Sequence, residues 1–158
     1  MYRNLFVRFM VVYPALCFDV HMTVYCGFTD GASRHTHNLA SAAWVIYSPT
    51  EELITSGGIF LGSVTNNVVE YHATIRLMTE ALSNGISHMI IHLDSQLFVS
   101  QLNRIYSIRD PTLLCLFWRI RLLERSFEFI QYCYILRQFN MIVDSLANYI
   151  LDCHLSHL

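Results

Sequence analysis

Apolar and polar positions alternate in one way along the first part of the chain and in another along the rest. Across residues 23–33, Val24, Cys26 and Phe28 alternate with Thr23, Tyr25, Gly27 and Thr29. Both sets are apolar or small, which predicts a strand covered on both faces that delivers Asp30 into a turn at Gly31. Residues 34–41 are polar and read as a loop. A second strand follows over 42–47, ended by Ser48-Pro49, and a third over 52–61, where Gly57-Gly58 predicts a bulge or bend. Three consecutive strands with short connections make an antiparallel meander.

The period then changes. Val68, Tyr71, Ile75, Met78 and Leu82 recur at helical spacing, so 67–83 is an amphipathic helix that stops at Asn84-Gly85. Residues 88–93 form a fourth strand ending at Asp94, and 95–102 a short helix. A turn-bearing segment closes at Asp110-Pro111. Leu113, Leu116, Phe117, Ile120 and Leu123 give the buried stripe of a helix over 112–125; a fifth strand spans 127–136 and a last helix 142–155. The expected fold is α/β: a five-stranded mixed sheet, an antiparallel meander followed by parallel strands, flanked by helices and with right-handed crossovers.

Composition narrows the class. A chain of 158 residues with 54% hydrophobic and 14% charged residues suits one domain with a proper core and excludes a disordered chain. A formal charge of −2 lacks the basic excess of a binder that holds nucleic acid by charge alone, so any phosphate contact is local or metal-mediated. Five scattered cysteines without a Cys-x-x-Cys pair indicate reduced thiols in an intracellular protein, nuclear or cytoplasmic. No His-Glu-x-x-His is present among the eight histidines. Residues 1–21 carry Arg3, Arg8 and an apolar run broken by Pro14 that is too short to span a bilayer. They read as an N-terminal extension to a domain over 22–158, with no membrane contact expected.

Four acids occupy special places: Asp30 and Asp94 at strand ends, Glu70 and Asp144 in the first turns of helices. Each has a local explanation. Asp30 suits an Asp-Gly turn, Glu70 a capping box from Asn67, Asp94 a helix cap, and Asp144 the positive end of a helix dipole. Taken together they mean more, because C-terminal strand ends and helix N-termini gather on one edge of a parallel-rich sheet. Clustered carboxylates repel unless cations neutralise them, and hard oxygen ligands select Mg²⁺ or Mn²⁺. Two such ions about 4 Å apart can activate water and stabilise a leaving oxygen in phosphodiester cleavage. With these four carboxylates set aside, the rest of the chain carries a charge of +2.

At these residues the sequence resembles the type 1 ribonuclease H family, in the variety found in plant genomes and retroelement polyproteins. The matching blocks are Thr29-Asp30-Gly31-Ala32-Ser33, Thr65-Asn66-Asn67-x-x-Glu70-Tyr71, Leu93-Asp94-Ser95-Gln96-Leu97, and Arg137-x-x-Asn140-x-x-x-Asp144-Ser145-Leu146-Ala147-Asn148. The resemblance implies a ribonuclease H-like fold with the first strand central, and a Mg²⁺-dependent endonuclease that cuts the RNA strand of RNA–DNA hybrids with two ions. By the same likeness Asp30 bridges both ions, Glu70 and Asp94 complete one shell, and Asp144 holds the ion carrying the attacking water. Ser33, Asn66, Asn67 and Gln96 match positions that approach the nucleic-acid backbone and the RNA 2′-hydroxyls. A fused or partner reverse transcriptase in a parent element is the implied context.

Three departures stand out. His35, Asn38, Ser41 and Ala43 replace glycines of a substrate-facing loop, which restricts backbone approach. Tyr134 stands where the family has a histidine that exchanges protons, and a phenol does this poorly near neutral pH; Tyr134 and Asn140 are auxiliary candidates. Between the short helix and Pro111 the only basic residues are Arg104 and Arg109, so no basic protrusion is expected. These departures leave a second reading open, a catalytically silent nucleic-acid-binding module, and a third in which the carboxylates are purely structural.

Overall fold

The computed structural model describes residues 23–104 and 107–157; the expected extension over 1–21 lies outside them. Strands β1 (Tyr25–Arg34), β2 (Leu39–Tyr47) and β3 (Leu53–Gly62) come first, then α1 (Asn66–Ser83), β4 (His88–Leu93), α2 (Gln96–Leu102), α3 (Pro111–Glu124), β5 (Phe129–Tyr134), a 3₁₀ turn (Arg137–Phe139) and α4 (Met141–Leu155). One sheet has the order β3-β2-β1-β4-β5. The first three strands pair antiparallel, while β4 runs parallel to β1 and β5 parallel to β4. The mixed α/β architecture and the central place of β1 are those expected from the sequence.

Both faces of the sheet are covered. On one, Tyr71, Leu77 and Met78 of α1 and Phe117 and Ile120 of α3 meet Trp44, Ile46, Met89 and Ile91. On the other, Val143, Ala147 and Leu151 of α4 pack on Phe28, Ala43 and Val45. Each large apolar side chain so buried contributes about 1.5–3 kcal/mol. Helix α1 buries more than its predicted stripe, including Val69, Ala73 and Thr74, because it is wedged between the sheet and α3. Asp110 accepts from the Thr112 and Leu113 N–H groups, so Asp110-Pro111 caps and starts α3.

Several expected boundaries move, for identifiable reasons. Residues 34–41 are not a loop: β1 runs on to Arg34 and β2 begins at Leu39, with a turn over 35–38. Arg34 and Ser41, at the two ends of this stretch, find partners on α4, where Arg34 donates to Asn148 and Asp152 and the Ser41 hydroxyl donates to the Ala147 carbonyl at 2.6 Å. Ser41 and Ala43 are therefore buried strand residues, not parts of a substrate-facing loop. Gly57 and Gly58 make no bulge; they pair in register with Trp44 and Ala43. They are glycines because the Trp44 ring and the end of Ile150 occupy the space their β-carbons would need. Strand β5 stops at six residues because its ladder partner, β4, has only six.

Candidate metal centre

The centre begins with unequal pairing of β1. This strand pairs with β2 as far as Arg34↔Leu39, but with β4 only as far as Phe28↔His92. Asp30 and Asp94 each lie two residues past that last pair, on the same side of the pleat, where the sheet opens. Asp30 is thus not at a strand end, as its Asp-Gly dipeptide suggested; it sits within β1 opposite Ala43. Below it, the His92 ring stacks on Phe28 with centroids 4.6 Å apart. Burial lowers the His92 pKa to about 4, so this imidazole is neutral and brings no charge to the acids above it.

Glu70 arrives from the other face. Thr65 is the N-cap of α1, accepting from the Val68 N–H at 3.5 Å, so Glu70 is the fifth helical residue and no capping box from Asn67 forms. Its neighbour Val69 fills the space a β-carbon on Gly31 would need, which lets α1 lie close against β1. Ser95, not Asp94, caps α2, accepting from the Phe98 N–H at 3.2 Å. With those local roles gone, one carboxylate oxygen from each of Asp30, Glu70 and Asp94 lies within 4.8 Å of the others. Asp144, in the first turn of α4, is near enough for its charge to act on Asp30.

Electrostatics make this cluster costly as it stands. Burial, then the Asp94 charge, pushes the Asp30 carboxyl up to about 8, against a single opposing hydrogen bond from the Gly31 N–H at 2.8 Å. Burial, followed by the charges of Asp30 and Asp94, raises Glu70 to about 8 as well, with Arg137 pulling the other way. Asp30 Oδ2 and Glu70 Oε2 are buried and have no hydrogen-bond partner. Buried acceptors without a donor are unfavourable, and a hard divalent cation satisfies several at once. Asp30, Glu70 and Asp94 could coordinate such an ion.

A cleft of about 300 Å³ opens beside the acids, lined by Asp30, Ser33, Arg34, Asn66, Glu70 and Asp144 among others. The exposed Asn67, Gln96 and Tyr134 are not among its lining residues.

The family model described as reverse transcriptase-like matches residues 28–150. Ribonuclease HI of Halobacterium salinarum is 34% identical over 125 residues, covering 79% of this chain and 63% of that protein. The crystal structure of RNase H1 from the same archaeon, 32% identical, matches with a TM-score of 0.78 over 82% of this chain and 98% of the other. The chain belongs to this ribonuclease H-like, reverse transcriptase-like family. LC11-RNase H1, solved in complex with an RNA/DNA hybrid, is 26% identical to this ribonuclease H-like chain, with a TM-score of 0.78 over 83% and 99% of the two. The chain spans 63% of the length of the Halobacterium protein and 34% of the bifunctional protein Rv2228c of Mycobacterium tuberculosis, to which it is 29% identical over 124 residues.

Further side chains of this ribonuclease H-like site come from the run leading into α4. Asn140 is buried and donates Nδ2 to the Thr29 carbonyl at 2.9 Å and to Asp94 Oδ2 at 3.3 Å, tying β1 and Asp94 to the start of α4. Arg137 and Asn148 also line the cleft, although sequence reasoning gave them no role. Their signal was spacing: Asn148 stands four residues after Asp144, on the same helix face.

Proposed function

We propose that this protein is a divalent-metal-dependent endonuclease that hydrolyses the RNA strand of RNA–DNA hybrids. The observation that carries the reading is the trio of crowded carboxylates with orphaned oxygens on Asp30 and Glu70, in a chain of the ribonuclease H-like family. Asp30, Glu70, Asp94 and Asp144 are the assigned catalytic residues, the ones that would hold two Mg²⁺ or Mn²⁺ ions. Such ions, when bound, supply a nucleophilic water near neutral pH and stabilise charge on the leaving oxygen.

The chain's own residues supply the rest. Ser33 and Asn66, in the cleft beside the acids, offer a hydroxyl and an amide to the sugar-phosphate backbone. Asn67 and Gln96, exposed on the first turns of α1 and α2, are assigned contacts further along the strand, where RNA 2′-hydroxyls distinguish RNA from DNA. Asn140 orients Asp94. Tyr134 puts an exposed phenol where the resemblance implies an imidazole, and slower turnover is the expected consequence. The reading extends to a domain over 22–158 of the plant or retroelement variety, working with a fused or partner reverse transcriptase; the reverse transcriptase-like family model supports that context.

Incubation of a labelled RNA–DNA hybrid with the protein and Mg²⁺ or Mn²⁺ tests the proposal. Cleavage confined to the RNA strand, lost in Asp30→Asn, is the expected result. Hybrid binding without cleavage across the metal titration supports instead the silent binding module that Tyr134 suggests.

A further inference from the structure

Asp144 stands half-exposed on the first turn of α4, where a carboxylate has several rotamers open to it. A run of hydrogen bonds from Arg34, at the end of β1, removes that freedom. Asn148, one turn further along the helix, donates Nδ2 to the Asp144 carbonyl at 2.9 Å and to Asp144 Oδ1 at 3.3 Å. Its own Oδ1 accepts from Arg34 Nη1 at 2.8 Å, and Arg34 Nη2 donates to Asp152 Oδ1 at 2.9 Å.

The polarity of this run is fixed. A guanidinium only donates and an ionised carboxylate only accepts, so the amide between them satisfies both in a single orientation. Turned over, its NH₂ would face Arg34 and its carbonyl would face Asp144, and both contacts would repel. The ion pair at the exposed end, Arg34 with Asp152, adds little stability because the Asp152 side chain is 62% exposed; its effect is to aim the guanidinium. Arg34 is the last residue of β1, so the run spans from the strand that bears Asp30 to the helix that bears Asp144.

We propose that Arg34 and Asn148 are positioning residues that set the orientation of the Asp144 carboxylate, an inference that rests on the nuclease reading above for its catalytic consequence. Asn148→Ala, Arg34→Leu, the double variant and Arg34→Lys are compared on hybrid substrate, with kcat and KM resolved and the metal concentration for half-maximal rate measured. Residues that orient metal ligands typically contribute 10–100-fold. Each of the first two variants is therefore expected to lower kcat about 10–100-fold, with KM for hybrid unchanged and more metal required. The double variant falls no further than the worse single one, because one connection is broken only once. Arg34→Lys, which keeps a donor, recovers part of the rate. A raised KM with kcat intact in Arg34→Leu, or losses that multiply in the double variant, overturns the proposal in favour of direct substrate contact.

A second readout does not depend on turnover. The Asn148 side-chain NH₂ protons, followed by NMR in the whole protein, are expected to exchange slowly in the wild type and rapidly in Arg34→Leu. Protection retained in Arg34→Leu overturns the connection between the two residues. If the wild type cuts no hybrid, the nuclease reading falls by itself and the amide exchange still decides the relay.

Discussion

Val69 packs into the space that a β-carbon on Gly31 would need, and each is the chain neighbour of a carboxylate in the candidate metal centre. Gly31 follows Asp30 on β1, and Val69 precedes Glu70 on α1. The seat of a helix against a strand thereby sets the distance between two acids that lie forty positions apart in the chain. Gly31→Ala forces Val69, and α1 with it, outward. Overpacking of this kind costs about 1–3 kcal/mol. Thermal melts should show that loss, and metal titrations should show weakened binding as Glu70 retreats from Asp30.

Without metal, the centre makes stability fall as pH rises. Asp30 and Glu70 have folded-state pKa values of about 8, above the ordinary values of 3.8 and 4.5. Between those limits these two carboxyls hold more protons folded than unfolded, so their contribution falls as pH rises, whereas His92 and His72, lowered by burial from 6.5, act the other way below that value. Melting temperature in EDTA is expected to decline from about pH 6.5, above which the histidines no longer oppose the carboxyls, to about pH 8. Added Mg²⁺ or Mn²⁺ reverses the decline, with an increment that grows with pH as the carboxyls ionise.

Asp30→Asn separates stability from function. The amide removes a buried charge that Asp94 and Asp144 oppose, so at about pH 8 and without metal the variant should melt higher than the wild type. For a domain of this size each kcal/mol gained is about 2–4 °C. The same variant should lose the metal-dependent rise in melting temperature. A lower melting temperature than wild type in EDTA would point to a structural role for the Asp30 charge.

Asn140→Ala leaves the Thr29 carbonyl without its donor and frees Asp94 to turn. Loss of a buried hydrogen-bond partner costs about 1–3 kcal/mol. Urea melts are expected to show that cost, and cleavage should be slowed at fixed metal concentration, with partial recovery as metal is raised.

Periodicity reveals every element of the sheet and its helices, because Val68, Tyr71, Ile75 and Met78, or Leu113, Leu116 and Ile120, are held by nearby packing that leaves a regular trace. It fails where a polar residue is satisfied from far away. Arg34 and Ser41 look like loop residues until α4 supplies Asn148, Asp152 and the Ala147 carbonyl as partners. Gly57 and Gly58 look like a bulge because the side chains that fill their space, Trp44 and Ile150, lie on other elements. The acids themselves are legible as residue types at marked positions. Their gathering on one edge follows from the order of strands and helices, and Asp30, Glu70 and Asp94 do meet there; how closely they meet is not legible, since it depends on where the β1–β4 ladder stops and on how closely Gly31 lets α1 approach.

The most direct test is anomalous scattering from crystals of the protein equilibrated with Mn²⁺ at about pH 8, the value at which Asp30 and Glu70 ionise. Manganese density is expected among the carboxylates of Asp30, Glu70 and Asp94, and none in Asp30→Asn crystals treated alike. Saturating Mn²⁺ with no peak among these three side chains, or an identical peak in the Asp30→Asn protein, would contradict that expectation.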